Sequence, residues 1–214
     1  MNKRLEKVAE LLDKKDILAD IGCDHGYLGI MALNKGIEFV QFIDNKIGPL
    51  NQAKKNCENI DSKKIQFTLA SGITAIEEHI NTICICGMGG ELICDILEEN
   101  LSAAKLLKKI ILQPNRNEPN LRKYLMTNGF VITNEEIVYE NSKYYEIIVC
   151  HYTNKMIEYA EEELLFGPVL MKKREENFVN KWNEKLVEFL RIQQVSNNNF
   201  ENDHKIDLVK NILK

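Results

Sequence analysis

Short apolar blocks punctuate the first 150 residues, and turn-forming residues bound each of them. Leu5, Val8, Ala9, Leu11 and Leu12 recur at helical spacing and predict an amphipathic helix over 3–12. Residues 17–21 read as a buried strand. A helical pattern follows from Tyr27 to Gly36, a C-terminal stop. Residues 39–43 form the next strand, and Pro49 begins a helix that runs to about Cys57. Residues 65–69 alternate as a strand ended by Ser71 and Gly72. Residues 82–86 are a strand leading through Gly87, Met88, Gly89 and Gly90 into a helix over 91–99. A strand over 110–112 precedes Gln113, Pro114 and Asn115, and a helix over 121–126 stops at Asn128 and Gly129. Two long β runs, 130–139 and 144–151, close the region. Strands alternating with helices, then an antiparallel pair, predict an α/β fold with a largely parallel sheet and a reversed edge strand.

From about Thr153 the pattern changes. Glu158, Glu161, Glu162 and Glu163 form an acidic run, and Gly167 with Pro168 makes a break before a helix predicted over 169–195. Phe178, Trp182, Leu186 and Phe189 give that helix an apolar stripe, residues 196–199 end it, and Ile206, Val209 and Leu213 mark a last short helix. These features predict two parts, 1–152 and 153–214. The second is a helical hairpin packed on itself, with the stripe as its seam.

The strand, glycine turn and helix over 17–28 match the way doubly wound proteins hold a nucleoside cofactor. Gly22 and Gly26 permit the turn. Asp44 ends the next strand 22 residues after Gly22, where an acid binds ribose hydroxyls. Asp24 replaces the middle glycine of a dinucleotide fingerprint, and its carboxylate would repel a pyrophosphate. It suits the sulfonium and ammonium groups of S-adenosylmethionine. That cofactor is therefore expected, with an NAD(P)-linked oxidoreductase as the rival.

Composition is that of a soluble protein, with 44% apolar and 28% charged residues, and no apolar run is long enough to span a bilayer. No N-terminal signal peptide is visible. Six cysteines without a Cys-x-x-Cys pair and only four histidines predict no metal site and a reducing cytoplasm. A net charge of −4 is no signature of a nucleic-acid binder. Locally, residues 1–15 carry five basic and three acidic side chains, and 169–191 carry six and four. Charge alone reads these as solvated helix faces.

Asp20, Ile21, Gly22, Cys23, Asp24, His25, Gly26, Tyr27 and Leu28 resemble the signature of the TrmK family, bacterial tRNA (adenine-N1) methyltransferases acting at adenosine 22. Further stretches match in order: Lys3 to Val8, Gly87 to Gly90, Ile111 to Asn115, Tyr144 to Ile147 and Leu164 to Pro168. Cys23 stands where serine is common, Gly26 where alanine is, and Ala70-Ser71-Gly72 where an acid usually precedes the glycine. The resemblance implies a Rossmann-like class I methyltransferase domain, S-adenosylmethionine as methyl donor, and a C-terminal coiled-coil-like domain that helps hold tRNA. A monomer without an obligate protein partner is expected. The rivals are a methyltransferase for another RNA site or a small molecule, and a non-catalytic RNA-binding module.

On this reading Gly22, Cys23, Asp24 and His25 line the methionine end of the cofactor, Asp24 pairing with its ammonium, and Asp20, Gly26, Tyr27 and Gly87 also contact the cofactor. Asp44 takes the ribose, and Asn45, Ser71 and Gly72 flank the adenine. Gly87 and Met88 lie at the end of the fourth strand, where active sites form in open α/β sheets. N1 of adenine offers an in-plane lone pair, so alignment matters more than a base. Gln113 and Asn115 are candidates to hydrogen-bond the adenine edge, or else simply to form the turn around Pro114. Asp24 is a candidate proton acceptor, and His25 suits a structural hydrogen bond. Tyr27 or Tyr145 would stack on an extruded base. Lys3, Arg4, Lys7, Arg116, Lys172, Lys173, Arg174, Lys181 and Lys185 are candidates for tRNA phosphates.

Overall fold

The computed structural model describes residues 2–195 and 200–214. The chain runs α1 (Lys3–Glu10), β1 (Leu18–Ile21), α2 (Tyr27–Asn34), β2 (Val40–Asp44), α3 (Ile47–Asn56), β3 (Ile65–Leu69) and β4 (Thr82–Met88). It continues through α4 (Gly90–Glu99), α5 (Leu101–Leu106), β5 (Lys109–Pro114), α6 (Glu118–Thr127), β6 (Phe130–Glu140) and β7 (Lys143–Tyr152). It ends with α7 (Glu161–Phe166), α8 (Leu170–Lys173), α9 (Glu176–Val195) and α10 (Phe200–Ile212).

The strands form one sheet in the order β3-β2-β1-β4-β5-β7-β6. β1 to β5 are parallel, and β7 runs antiparallel to both β5 and β6. Every residue of β1 and β2 is buried, as expected for a parallel sheet covered on both faces. Period-two alternation divides these strands between two cores. Ala19, Ile21, Ile43, Ile83, Ile85 and Leu112 pack with Ile93, Leu97, Leu121 and Leu125 of α4 and α6. Leu18, Val40, Phe42, Cys84 and Ile111 pack on the other face with Val8, Leu28, Ala32, Leu50 and Ala53 of α1 to α3. The strand order reverses direction between β1 and β4, and there the carboxyl ends of the strands open a crevice.

The C-terminal helices differ from the single long helix and self-packed hairpin expected. Arg174 takes a left-handed conformation (φ 46°) and separates α8 from α9. Phe178 and Trp182 of the apolar stripe pack on Phe166 of α7, Leu170 of α8, Ile137 of β6 and Val209 of α10. The stripe thus faces the sheet's edge strand as well as α10. Residues 196–199, expected to end the long helix, lie outside the described residues.

A buried ion network joins these helices to the sheet. Fully buried Arg122 of α6 donates through Nε to Glu135 of β6 at 2.8 Å, through Nη2 to Glu146 of β7, and through Nη1 to the Leu164 carbonyl at 3.1 Å. Lys181 of α9 also binds Glu146. Burial works against the Glu146 charge, yet Arg122 and Lys181 together hold its carboxyl below the ordinary range. Glu135 accepts the Val169 N–H at 2.8 Å, which satisfies a donor ahead of α8. Gly167 (φ 92°) lies against this network: a Cβ there would fall 2.7–2.8 Å from Glu135 and Arg122.

Candidate active site

The turn between β1 and α2 is held by backbone bonds that only its conformation allows. Gly22, Asp24 and Gly26 have φ of 70°, 49° and 75°. The N–H groups of Gly22 and Cys23 both donate to the Ile43 carbonyl, at 2.8 and 3.0 Å. A Cβ on Gly22 would lie 2.1 Å from the Met88 methyl, so the absence of a side chain is what lets Met88 cover the turn. Asp44, buried at the end of β2, accepts the Asp24 N–H at 3.1 Å and the Lys46 N–H at 2.9 Å. The Asp24 carboxylate is exposed and meets Nδ1 of His25 at 2.8 Å. The His25 ring stacks on Tyr27 at 5.7 Å.

Asp20 lies beneath the turn, fully buried, and its Oδ2 has no hydrogen-bond partner. Burial raises its carboxyl to about 7, and the nearby charges of Asp44 and Asp24 add to that rise. None of these three carboxylates is paired with a lysine or arginine among the described residues. Such a set favours a cationic ligand and opposes a pyrophosphate. Half-exposed Ile47 and Leu69 stand at the start of α3 and the end of β3, and Leu69 is in register with Asp44. The residues present therefore fit S-adenosylmethionine. No group of three or more His, Cys, Asp or Glu side chains among the described residues could hold a metal ion.

The opposite side of the crevice is assembled at the ends of β4 and β5. A register shift between Cys86 and Met88 leaves Gly87 in a bulge, with φ 77°. Gln113 is fully buried and Asn115 exposed, and both hold this bulge. Gln113 Oε1 accepts the Gly87 N–H at 3.0 Å, and its Nε2 donates to the Pro114 carbonyl at 2.6 Å. Asn115 Nδ2 donates to the Gly87 carbonyl at 2.7 Å, and the Asn115 N–H to the Met88 carbonyl at 2.7 Å. The Gln113 carboxamide is engaged at both ends within the protein, whereas Asn115 is exposed and bonds Gly87 through one N–H of its amide. Arg4 Nη1 donates to both side chains, at 2.7 Å to Gln113 and 3.2 Å to Asn115. Its guanidinium stands 5.1 Å from the ring centre of Tyr145.

The cations expected to meet phosphate separate into four groups. Arg4 points into the site. Lys173 binds Glu136 and Asn134, and Lys181 is buried on Glu146 and Trp182, so both are structural. Lys7 pairs with Glu10, and Lys185 with Glu188. Lys3, Arg116, Lys172 and Arg174 are exposed, and among the described residues none of their side chains has an ion pair.

A groove of about 1190 Å³ runs from Asn115 and Tyr145, past the start of α6 and the β6–β7 turn, to α9 and α10. Each acid lining it has a partner: Glu118 and Glu146 on Lys181, Glu161 on His204, Glu188 on Lys185, Glu201 on Lys205, and Glu184 on the Tyr144 hydroxyl. Arg116, Lys123, Lys143 and Arg191 line it without a carboxylate partner among the described residues. Lys123 and Lys143 were not singled out in the sequence, and Arg191 entered only in the charge count over 169–191, because the groove that gathers them is formed by elements distant in sequence.

Comparison with known proteins agrees with this geometry. The family model described as tRNA (adenine(22)-N(1))-methyltransferase, TrmK, matches residues 18–214. The tRNA (adenine(22)-N(1))-methyltransferase of Bacillus subtilis strain 168 is 31% identical over 193 residues, covering 87% of this chain and 81% of that protein. A Streptococcus pneumoniae protein, provisionally described as a tRNA (m1A22) methyltransferase and solved in complex with S-adenosyl-L-methionine, superposes with a TM-score of 0.89 at 36% identity, with all of both chains covered. The B. subtilis TrmK structure superposes with a TM-score of 0.84 at 27% identity, over 100% of this chain and 99% of that one. The Rossmann-like methyltransferase fold, the acid-lined turn and the match over most of the chain place this protein in the TrmK family of tRNA (adenine(22)-N(1))-methyltransferases.

Proposed function

We propose that this chain transfers the methyl group of S-adenosylmethionine to N1 of adenosine 22 in tRNA. The observation that carries the reading is the glycine turn with three carboxylates unpaired by lysine or arginine, which lies directly beneath Met88 and beside the Gly87 bulge. When bound, the cofactor supplies an electrophilic methyl group on a sulfonium. Asp20 and Asp24 hold its ammonium end, Asp44 its ribose, and Asn45, Ser71 and Gly72 its adenine, against the apolar wall of Ile47 and Leu69. Cys23, His25, Gly26 and Tyr27 complete the rim.

N1 attacks through its own lone pair, so the protein's task is alignment. Gly87 leaves room for the base to approach, and Met88 closes the floor between base and cofactor turn. Tyr145, at the groove mouth with Arg4 on its ring, and exposed Tyr27, beside His25, are the two stacking surfaces for the extruded base. Asp24, exposed and bonded to His25, is our candidate acceptor for a proton leaving N6 after transfer when it is not held by the cofactor's ammonium.

Extruding the base costs a few kcal/mol. Phosphate contacts along the groove, from Arg116, Lys123, Lys143, Lys185 and Arg191, offset that cost, with Lys3, Lys7, Lys172 and Arg174 outside it. The same reading divides the chain into a cofactor-binding part (1–152) and a helical RNA-docking part (153–214), acting as a monomer in the cytoplasm. No helix among the described residues is long and apolar enough to cross a membrane.

The test uses methyl-labelled S-adenosylmethionine and unmodified tRNA, with the product nucleoside identified by mass spectrometry. N1-methyladenosine is the expected product. Another methylated nucleoside, or binding of NAD(P) in preference to S-adenosylmethionine, would overturn the reading.

A further inference from the structure

We propose that Arg4 is a positioning residue for methyl transfer: it fixes the orientation of the Gln113 and Asn115 carboxamides, and through them the Gly87–Met88 peptides that border both cofactor and base. The inference rests on the methyltransferase reading above. The two ends of a carboxamide are nearly the same shape, so its neighbours decide which way it faces. Arginine offers only donors. Nη1 of Arg4 therefore draws both carboxamide oxygens toward itself, at 2.7 and 3.2 Å.

That choice has consequences at Gly87. With its oxygen turned to Arg4, Gln113 also accepts the Gly87 N–H. With its oxygen turned the same way, Asn115 is left to give its Nδ2 to the Gly87 carbonyl. Gly87 is thus gripped at both ends of a left-handed bulge, and Met88 Cε is set where a Gly22 Cβ would otherwise be. A reversed Asn115 would put oxygen against the Gly87 carbonyl and loosen the bulge. Displacement of reacting groups by about 1 Å is enough to slow an aligned reaction by about 100-fold.

The rest of the Arg4 side chain fits this role better than phosphate binding. Its Nε is buried without a partner, and its guanidinium carbon stands 5.1 Å from the Tyr145 ring centre. It reaches from α1 to residues 109 and 111 positions away in sequence. A lysine would supply the charge and donors but not the planar guanidinium.

Full-length protein carrying Arg4→Met or Arg4→Lys tests the proposal. With unmodified tRNA, Arg4→Met should lower kcat by about 30-fold, while the KM for tRNA and the Kd for S-adenosylmethionine change by less than about threefold. Arg4→Lys should recover part of kcat. Hydrogen exchange at the Gly87 amide should quicken by about tenfold in Arg4→Met, without substrate present. An unchanged kcat, or a loss confined to the KM for tRNA with Gly87 exchange unaltered, would overturn the proposal and return Arg4 to phosphate binding. If the wild-type protein methylates no tRNA, the methyltransferase reading fails, and Gly87 exchange alone decides whether Arg4 holds the bulge. If Arg4→Met does not fold, Arg4→Lys carries both measurements.

Discussion

The side of the crevice we assign to the cofactor is built mainly by consecutive residues, Asp20 to Tyr27, and by the acid that ends the next strand. The side we assign to the base draws on Arg4, Gly87, Gln113, Asn115 and Tyr145, which come from α1, from β4, β5 and β7, and from the residue after β5. The cofactor side is acidic and held by backbone bonds. The base side is neutral apart from one arginine and is held by side-chain amides. This contrast matches two tasks. A cationic ligand is retained by fixed carboxylates, whereas a neutral base needs a shaped opening and little charge. It also explains why one side is a motif and the other is not: the turn is local, and the bulge is stabilised by partners distant in sequence.

The largest effect that would sharpen this contrast is at Gly22. Valine there meets the Met88 methyl and a φ of 70°, and the strain of about 3 kcal/mol corresponds to about 100-fold in affinity. Calorimetry should show S-adenosylmethionine binding nearly lost, while circular dichroism stays that of the wild type. Retained binding would mean that the turn is not the cofactor floor.

A smaller effect is expected in the groove. Arg116→Glu with Lys143→Glu should raise the Kd for tRNA by about tenfold and flatten its salt dependence, with S-adenosylmethionine binding intact. Equal loss of both ligands would break the division between the two sides.

The smallest effect is in the pH dependence of cofactor binding. With its folded carboxyl near 7, Asp20 keeps a proton that the unfolded chain has already lost above about pH 4. Its contribution to stability is therefore greatest below about pH 4 and falls as pH rises through 7. A cationic ligand needs the ionised form, so S-adenosylmethionine should bind about fivefold more weakly at pH 6 than at pH 7. Asp20→Asn should remove that dependence, as measured by calorimetry at both pH values. A slope that survives the substitution would assign the titration to another group.

Much of the fold was legible because both faces of the sheet are covered. The central strands read as mainly apolar runs, β3 at the edge as an alternation, and glycine or Asn-Gly stops marked several helix ends. The six-residue helix α5 (Leu101–Leu106) escaped notice because it is too short to show a stripe. The break at Arg174 also escaped, since Lys172, Lys173 and Glu175 around it contain no glycine or proline. Arg122 looked like an ordinary helix residue, and only the arrival of Glu135, Glu146 and Lys181 in space reveals its role. The site was legible in the same proportion. Gly22 and Asp44 are marked by their spacing, Asp24 by its place in the glycine turn, and Asp20 by the family resemblance. The tasks of Arg4, Gln113 and Asn115 depend on which atoms face which, and sequence spacing does not encode that.

The central claim joins an acid-lined cofactor turn to a base site for one adenosine. It is tested most directly by presenting the protein with unmodified tRNA that has adenosine at position 22, beside a copy with guanosine there. Methyl-labelled S-adenosylmethionine would be the donor, with mass spectrometry of the product. The account predicts N1-methyladenosine from the first tRNA and no label in the second. Equal label in both would contradict it.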